Sequence, residues 1–347
     1  MSAAARGAGT KRLDKSKTPA MRSAAPAGID VQFLLLPDSL ILDWAGPAEA
    51  LRMANALMQQ RGLPVPFRLR FISPNPTSTS SVGVALAGLE PLPTHFKHPC
   101  WVVVVGQPGE RITLNHREAR DALRWLRSLP LQAGACELLT ICAGTVLAAH
   151  AGLLHGRRAT THHQHLGELQ TVEPACQVVA NQLFVEDAPV WSSAGITTGV
   201  DLVLHRIGAI CGPAVSAQVA QTMVLAMRRG PQDPQLSPFL AHRHHLHAAL
   251  HRLQDAIGHA PAHDWSLQAM ADVAHTSARH LNRLFVEHAQ VAPLAYLRQI
   301  RLAVAQGALR SGRNVTQAAE LAGFSSDTQL RRAWKQFGAE GTPSQGQ

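Results

Sequence analysis

Cysteine is scarce in this sequence, and its few cysteines are scattered. The 347-residue chain has five, at positions 100, 136, 142, 176 and 211, and no two of them have a Cys-x-x-Cys spacing. This pattern disfavours a disulfide scaffold and a four-cysteine zinc site. It favours a reducing, cytoplasmic compartment.

Long apolar runs are also missing. No stretch of 18 uninterrupted apolar residues is present, which excludes a transmembrane helix, and we expect no membrane partner. The basic residues near the N-terminus are not followed by the apolar segment of a secretory signal. Apolar residues make up 46% of the chain and charged residues 16%, which is typical of a globular protein, and the length favours two domains.

The net charge of +9 is concentrated at the two ends of the chain. Residues 1–28 hold six basic residues and one acidic residue, 29–236 are balanced, and 237–347 hold eleven basic and seven acidic residues. A basic terminal module on a neutral body indicates a polyanionic partner, most often nucleic acid. A basic solvated surface is the alternative.

Histidine is enriched in the C-terminal third, where ten of the nineteen lie after residue 236. The cluster His242, His244, His245, His247 and His251 has a spacing that spreads around a helix rather than converging on one point. We therefore expect no metal and no cofactor, and the role of the stretch 242–251 stays open.

The order of the elements predicts two domains of different class. Residues 1–28 have no apolar period and are interpreted as a disordered basic tail. Over 29–228, strands at 30–36, 67–72, 101–105 and 137–141 alternate with helices, which favours an α/β flavodoxin-like doubly wound domain. The predicted helices cover 47–60, about 115–128, a segment from about 144, 198–210 and 214–228, and 77–88 is a loop or hairpin. Residues 229–238 have a linker composition, and 239–347 are all helical.

The helical part contains two similar helix-turn-helix units. Short helices at 266–274 and 315–322 are each followed by a second helix, at 277–288 and 326–337, with a basic outer face. A linking helix over 293–309, about 26 Å long, could set the two units about one DNA turn, ~34 Å, apart. The predicted DNA-contacting residues are Arg279, His280, Asn282, Arg283, Thr328, Gln329, Arg331 and Arg332.

This double motif resembles the AraC/XylS family of transcription regulators. The residues that carry the resemblance are Pro293-Leu-Ala-Tyr-Leu297, Arg301-Leu-Ala303, Ala322-Gly-Phe-Ser325, Phe337-Gly338 and Thr342-Pro-Ser344. The resemblance implies that double-stranded operator DNA is the partner. A helical protein-binding module is the alternative.

Cys142 stands where strand 137–141 runs directly into a helix. Such a strand–turn–helix junction exposes the side chain at its apex, and the helix N-terminus is expected to lower the pKa of the thiol. Buried packing without reactivity is the alternative.

The segments Cys142-Ala-Gly-Thr145 and Gly156-Arg-Arg-Ala-Thr-Thr-His162 resemble the PfpI-type, glutamine-amidotransferase-like superfamily. The resemblance implies that an acid from the loop after the first strand, here Asp43, lies beside the cysteine, with a histidine, here His162, nearby. Peptidase members have histidine where this chain has Ala143, and a second strand-end glycine where it has Gln107. We therefore predict no catalytic residues and treat Cys142, Asp43 and His162 as a ligand-sensing pocket.

Both halves together resemble the GlxA branch of AraC-type regulators. The prediction is a cytoplasmic, sequence-specific transcription regulator whose N-terminal domain binds a small metabolite, and the resemblance implies a homodimer. The alternative is a cysteine-dependent hydrolase or hydratase with a DNA-binding appendage. A protein-interaction scaffold is a third interpretation, and it would have no salt-sensitive affinity for DNA.

Overall fold

The computed structural model describes residues 28–96, 99–225, 229–231, 233–337 and 342–343. The predicted tail, except for Gly28, lies outside these residues, as do positions 226–228 and the motif residues Gly338 and Ser344. The chain divides into two compact units. The N-terminal unit comprises Met1–Val178 and Phe184–Arg228, and the C-terminal unit comprises Val179–Leu183 and Arg229–Gln347.

A six-stranded sheet forms the centre of the N-terminal unit. The strands of this unit are β1 (Ile29–Leu34), β2 (Phe67–Ile72), β3 (Thr77–Thr79), β4 (Ala85–Ala87), β5 (Cys100–Val104), β6 (Cys136–Ile141), β7 (Arg158–Ala159), β8 (Gln177–Val178), β9 (Phe184–Asp187) and β10 (Val190–Ser193). In the central sheet the strands follow the order β2-β1-β5-β6-β10-β9, and every pair is parallel except β10 with β9. Because β1 lies between β2 and β5, strand order reverses there, which confirms the predicted flavodoxin-like fold.

Helices cover both faces of this sheet. They are α1 (Ile41–Gln60), α2 (Arg117–Arg127), α3 (Gly144–His150), α4 (Leu166–Val172), α5 (Thr198–Cys211) and α6 (Pro213–Thr222), with a 3-10 turn at His163–His165. Helices α2, α3 and α4 share one apolar core with β5 and β6, while α1, α5 and α6 pack against one another. Covered faces explain why β5 and β6 are buried at every position.

Two predicted helix boundaries in this unit are wrong. The first helix begins at Ile41 rather than Pro47, so that the proline lies inside it and Asp43 lies in its first turn. The backbone N–H of Leu40 donates to the carbonyl of Gly106, a tertiary contact that anchors the helix start upstream of the proline. The helix predicted over 214–228 ends at Thr222, and Val224 then has a positive φ of 54°. Residues 77–88 do form a hairpin, from β3 and β4.

The described residues of the C-terminal unit form helices joined by loops, with no strand among them. Its helices are α7 (Pro238–Ala241), α8 (Ala248–His259), α9 (Leu267–Val273), α10 (Ala278–Leu284), α11 (Pro293–Arg310), α12 (Val315–Leu321) and α13 (Asp327–Gln336), and a π-helical turn at Phe285–Ala289 extends α10. One core, centred on Phe285 and Tyr296, joins α8, α9 and α10 to the first half of α11. A second core, centred on Leu330 and Trp334, joins the second half of α11 to α12 and α13. None of the described helices combines the length and hydropathy of a membrane span.

Candidate functional site

Cys142 occupies a sharp elbow at the carboxyl end of β6. Its φ is 58°, its side chain is buried, and its N–H donates to the carbonyl of Ser193 on β10 at 3.0 Å. Two glycines make room for this geometry. A Cβ at Gly144 would lie 2.3 Å from the carbonyl oxygen of Val104, and a Cβ at Gly195 would lie 2.2 Å from the Cβ of Cys142. Helix α3 can therefore begin directly against β5 only because Gly144 has no side chain.

Asp43 lies fully buried beside this elbow. Its Oδ2 accepts the N–H of Gly106 and its Oδ1 accepts the N–H of Ile196, each at 3.0 Å. Gly106 follows β5 and Ile196 follows β10, so the carboxylate ties the ends of two strands to the first turn of α1. Burial raises the pKa of Asp43 to about 6, although both backbone hydrogen bonds favour the ionised form.

The thiol of Cys142 is protonated at neutral pH. Burial, followed by the charge of Asp43, raises its pKa to about 12, although the N–H groups of Ala143 and Ile196 oppose the shift. The expectation that the helix N-terminus lowers this pKa is therefore wrong. Helix α3 has only seven residues, and the loss of water around the sulfur outweighs its dipole.

His162 lies twenty residues after Cys142 in the sequence. It forms no hydrogen bond with Cys142 or Asp43 in the part of the chain that the structure describes. Its ring packs against His163, with centroids 4.2 Å apart, and against His165 at 6.2 Å. Burial, followed by the two neighbouring histidines, lowers the pKa of His162 to about 4. At neutral pH His162 is therefore uncharged and adds no positive charge to the site.

Sequence reasoning missed several groups that complete the site. The hydroxyl of Thr161 donates to the carbonyl of Cys142 at 2.8 Å, and the Gly195–Ile196 loop contacts both the cysteine and Asp43. The side-chain amide of Gln107 donates to the carbonyl of Pro37 at 2.6 Å. A glycine two residues after a buried strand was the one available signal for Gly195. No sequence pattern marked Ile196, which contributes its backbone.

Two helix pairs in the C-terminal unit have the same construction. In the first pair, the N–H of Thr276 donates a hydrogen bond to the carbonyl of Ala271 at the end of α9, and Ser277 then caps α10. In the second, the N–H of Phe324 meets the carbonyl of Ala319, and Ser326 caps α13. These are the C-terminal and N-terminal caps expected of a helix-turn-helix.

The two turns differ at the residue that has a positive φ. His275 and Gly323 occupy equivalent positions, with φ of 53° and 78°. A Cβ at Gly323 would lie 2.5 Å from the Cα of Ala262, so the second turn is packed against backbone where a side chain cannot fit. The first turn has room for histidine at a conformation that is strained for it.

The predicted DNA-facing residues lie on helices α10 and α13 with their outer faces in solvent. Those that are exposed are Arg279, Asn282, Arg283, Thr328, Gln329, Arg331 and Arg332, whereas His280 is partly buried. The ring of His280 lies 3.0 Å from the guanidinium of Arg283. The opposite faces carry the buried Leu281, Leu284, Leu330 and Trp334. The geometry presents a polar and basic surface on each second helix.

Comparison with known proteins bears on both units. A family model described as a helix-turn-helix domain matches residues 270–345. The chain is 31% identical to the HTH-type transcriptional regulator CdhR of Pseudomonas aeruginosa, over 91% of this chain and 90% of that protein. It is 27% identical to the HTH-type transcriptional regulator GlxA of Rhizobium meliloti, over 88% of this chain and 92% of that one.

Other similarities cover a smaller share of this chain. An isonitrile hydratase of Pseudomonas putida is 28% identical over 59% of this chain and 81% of its own length. Among solved structures, a ThiJ/PfpI family protein from Pseudomonas syringae matches with a TM-score of 0.48 and 16% identity, over 65% of this chain and 85% of that one. The two regulators match over about nine-tenths of this chain and therefore across both units, and the chain belongs to the AraC-type family of helix-turn-helix transcriptional regulators.

Proposed function

We propose that the N-terminal unit binds a small-molecule effector beside Cys142, Asp43 and His162 without turning it over, and that this binding controls how the C-terminal unit engages operator DNA. The domains of this regulator would be 29–228 and 239–347, joined by the linker 229–238. It would act as a homodimer in the cytoplasm. A regulator requires only a ligand that binds two states of the protein with different affinity.

The state of the thiol is the observation that carries this proposal. A cysteine nucleophile needs a thiolate or a base that accepts its proton. Here the pKa of Cys142 is about 12, and both oxygens of Asp43 are occupied by backbone N–H groups. His162 forms no hydrogen bond with Cys142 within the described residues. These features support binding without a proton relay.

The DNA contacts would come from α10 and α13. Arg279, Arg283, Arg331 and Arg332 could form paired hydrogen bonds with guanine, and Asn282 and Gln329 with adenine. His280 and Thr328 would contact phosphates or base edges from the same faces. Helix α11 has 18 residues and is about 27 Å long, which would set the two recognition helices roughly one turn of DNA apart.

A second candidate is a cysteine-dependent hydratase with a DNA-binding appendage. The similarity of the N-terminal part to isonitrile hydratase favours it. This candidate requires that a ligand or a conformational change expose the thiol of Cys142 to water or bring a base within hydrogen-bond distance of it. It therefore predicts multiple turnovers that disappear in Cys142→Ala, whereas the sensor predicts none.

The test pairs a reporter with a turnover assay. The DNA that the full-length protein protects would first be mapped genome-wide, and one protected promoter would drive the reporter. Wild type, Cys142→Ala, Asp43→Asn and the control Cys176→Ala, which removes a buried cysteine elsewhere in the same unit, would be compared across candidate metabolites. We expect Cys142→Ala and Asp43→Asn to alter the response to the effector while basal DNA affinity stays within about twofold. An unchanged response in both variants would contradict the sensor proposal.

A further inference from the structure

Four histidines of the C-terminal unit come together although they are spread over more than 40 positions of sequence. This histidine cluster consists of His245, His247, His251 and His288. The first two precede α8, the third lies in its first turns, and His288 belongs to the π-helical turn that continues the recognition helix α10. Ring centroids are 4.5 Å apart for His245 and His251, 5.2 Å for His247 and His288, and 6.4 Å for His245 and His288.

Hydrogen bonds in the cluster fit neutral rings. The Nε2 of His251 lies 2.6 Å from the carbonyl oxygen of His245 and must donate, while its Nδ1 faces the guanidinium of Arg243 at 3.3 Å and must accept. The Nδ1 of His245 accepts the N–H of His247 at 3.3 Å. A proton added to His245 or His251 at Nδ1 would therefore remove an acceptor and meet another donor.

Two ring nitrogens in the cluster are buried without a hydrogen-bond partner among the described residues, the Nε2 of His245 and the Nδ1 of His247. His245 is itself 8% exposed. A buried imidazole can remain unpaired at modest cost while neutral, but the charged form would lose hydration without gaining a partner. Burial, followed by the neighbouring histidines, lowers the pKa of His245.

Charged groups around the cluster offer it little compensation. Arg243 is paired with Asp255 of α8 at 2.6 Å, and the exposed His244 adds a further titratable ring. Glu287, on the π turn, reaches His288 at 3.9 Å. The other rings facing His245 are the cluster's own histidines. Among the described residues, no set of three or more potential ligands is arranged to hold a metal.

We propose that the histidine cluster is a proton-sensitive clasp that holds the start of α8 against the π turn behind the first recognition helix. At about pH 7.5 the neutral rings pack together. At about pH 5.5 protonation of His245 places a buried charge without a new hydrogen-bond partner among the packed rings, and the clasp opens. The first helix-turn-helix would then become more labile than the second, because α8 and the π turn share a core with the first helix pair, whereas α12 and α13 belong to the second core.

The direction follows from proton linkage. A histidine that is harder to protonate in the folded state makes unfolding more favourable as pH falls, because the open state binds the proton more readily. The cluster therefore stabilises the closed state fully above the ordinary histidine pKa of about 6.5, and this stabilisation is lost as pH falls below that value. A cluster stabilised by protonation would show the opposite trend.

Hydrogen exchange of the full-length protein tests this proposal locally. After correction for intrinsic exchange rates, we expect amides of 242–259 and 285–291 to lose about tenfold protection between pH 7.5 and 5.5, which corresponds to about one pKa unit. Amides of α13 serve as the internal reference. In His245→Gln and in His288→Gln the loss should shrink to about threefold or less, whereas His259→Gln, an exposed histidine of α8 outside the cluster, should behave like wild type.

Two results would overturn the proposal. One is a loss of protection on acidification that is equal in wild type, His245→Gln and His288→Gln. Variants whose protection at pH 7.5 matches wild type are folded, so misfolding would not explain that result. The other is a gain of protection at pH 7.5 on adding zinc ions alone, reversed by a chelator, because the rings would then form a metal site.

Discussion

The elbow at Cys142 and the turns at His275 and Gly323 use the same left-handed backbone conformation next to a helix, but different contacts hold it. In the turns, hydrogen bonds to the helix just completed fix the residue, and the following helix presents its outer face to solvent. At the elbow, strands β5 and β10 and helix α1 surround the residue and bury its side chain. Local capping therefore creates an exposed surface, whereas packing between distant segments creates an enclosed site.

The largest effect is expected from a change at Gly144, the glycine with which α3 begins at the elbow. Gly144→Ala places a Cβ 2.3 Å from the carbonyl oxygen of Val104, and neither backbone can yield without moving α3 or β5. We expect a loss of at least about 3 kcal/mol in the unfolding free energy of the N-terminal unit. Gly167→Ala is the matched control, because no atom beyond its chain neighbours and its own helix backbone lies within 4 Å of the added Cβ. Denaturant unfolding of both variants measures the difference, and equal midpoints would contradict the crowded elbow.

Substituting the residue with positive φ in each turn tests whether the contact with Ala262 distinguishes the two turns. Gly323→Ala combines a positive φ with a contact of 2.5 Å to the Cα of Ala262, and we expect a loss of about 2–3 kcal/mol. His275→Gly relieves a left-handed non-glycine residue, so its effect should lie between neutral and a gain of about 1 kcal/mol. Hydrogen exchange of α9 and α12 in the full-length chain separates the two effects. Equal destabilisation by both changes would show that the turns are not distinguished by the contact with Ala262.

The exposed faces should act through charge and hydrogen bonding rather than through stability. Arg283→Ala and Arg332→Ala should each weaken operator binding by about 1–3 kcal/mol if they read bases. A phosphate contact would instead lower the salt slope by about one and affect all sequences equally. Arg124→Ala removes an exposed charge from α2 and is the control. Unfolding midpoints should not move, and unchanged binding and salt slope in both variants would exclude these faces from the interface.

The smallest expected effect concerns pH at the enclosed site. His162 has a pKa of about 4 in the folded protein, below the ordinary value of 6.5, so the stability linked to it is present above pH 6.5 and is lost as pH falls toward 4. Because the ring is only half-buried, we expect about 1 kcal/mol after screening by solvent. His162→Gln should therefore lose less stability than wild type between pH 7 and pH 4.5.

Over the same pH range Asp43 changes the unfolding free energy in the opposite direction to His162, so its variant serves as the reference. Its folded pKa of about 6 lies above the ordinary 3.8, so its ionisation opposes folding at neutral pH, and this opposition disappears as pH falls from 6 toward 4. Asp43→Asn should therefore lose more stability than wild type on acidification. A pH profile that is the same in wild type and both variants would show that neither group titrates differently on folding.

Local patterns predicted most of the elements. The alternation of apolar strands with helices predicted the doubly wound sheet, and the prediction for β2 matches its observed bounds. The predicted helix starts at 266, 277 and 326 coincide with the serine caps of α9, α10 and α13, because a cap depends on neighbours a few residues away. The start of α1 was not predictable in this way, since a contact with Gly106 anchors it.

The sequence by itself determined that Cys142 lies at a strand–helix junction and that the second helices carry basic outer faces, because both depend on residue order and helical period. Only the tertiary structure decided that the thiol is protonated, that Asp43 is held by Gly106 and Ile196, and that four histidines meet behind the first recognition helix. Burial and charge at a group depend on segments that are distant in the chain, and no local pattern records which of those segments will surround it.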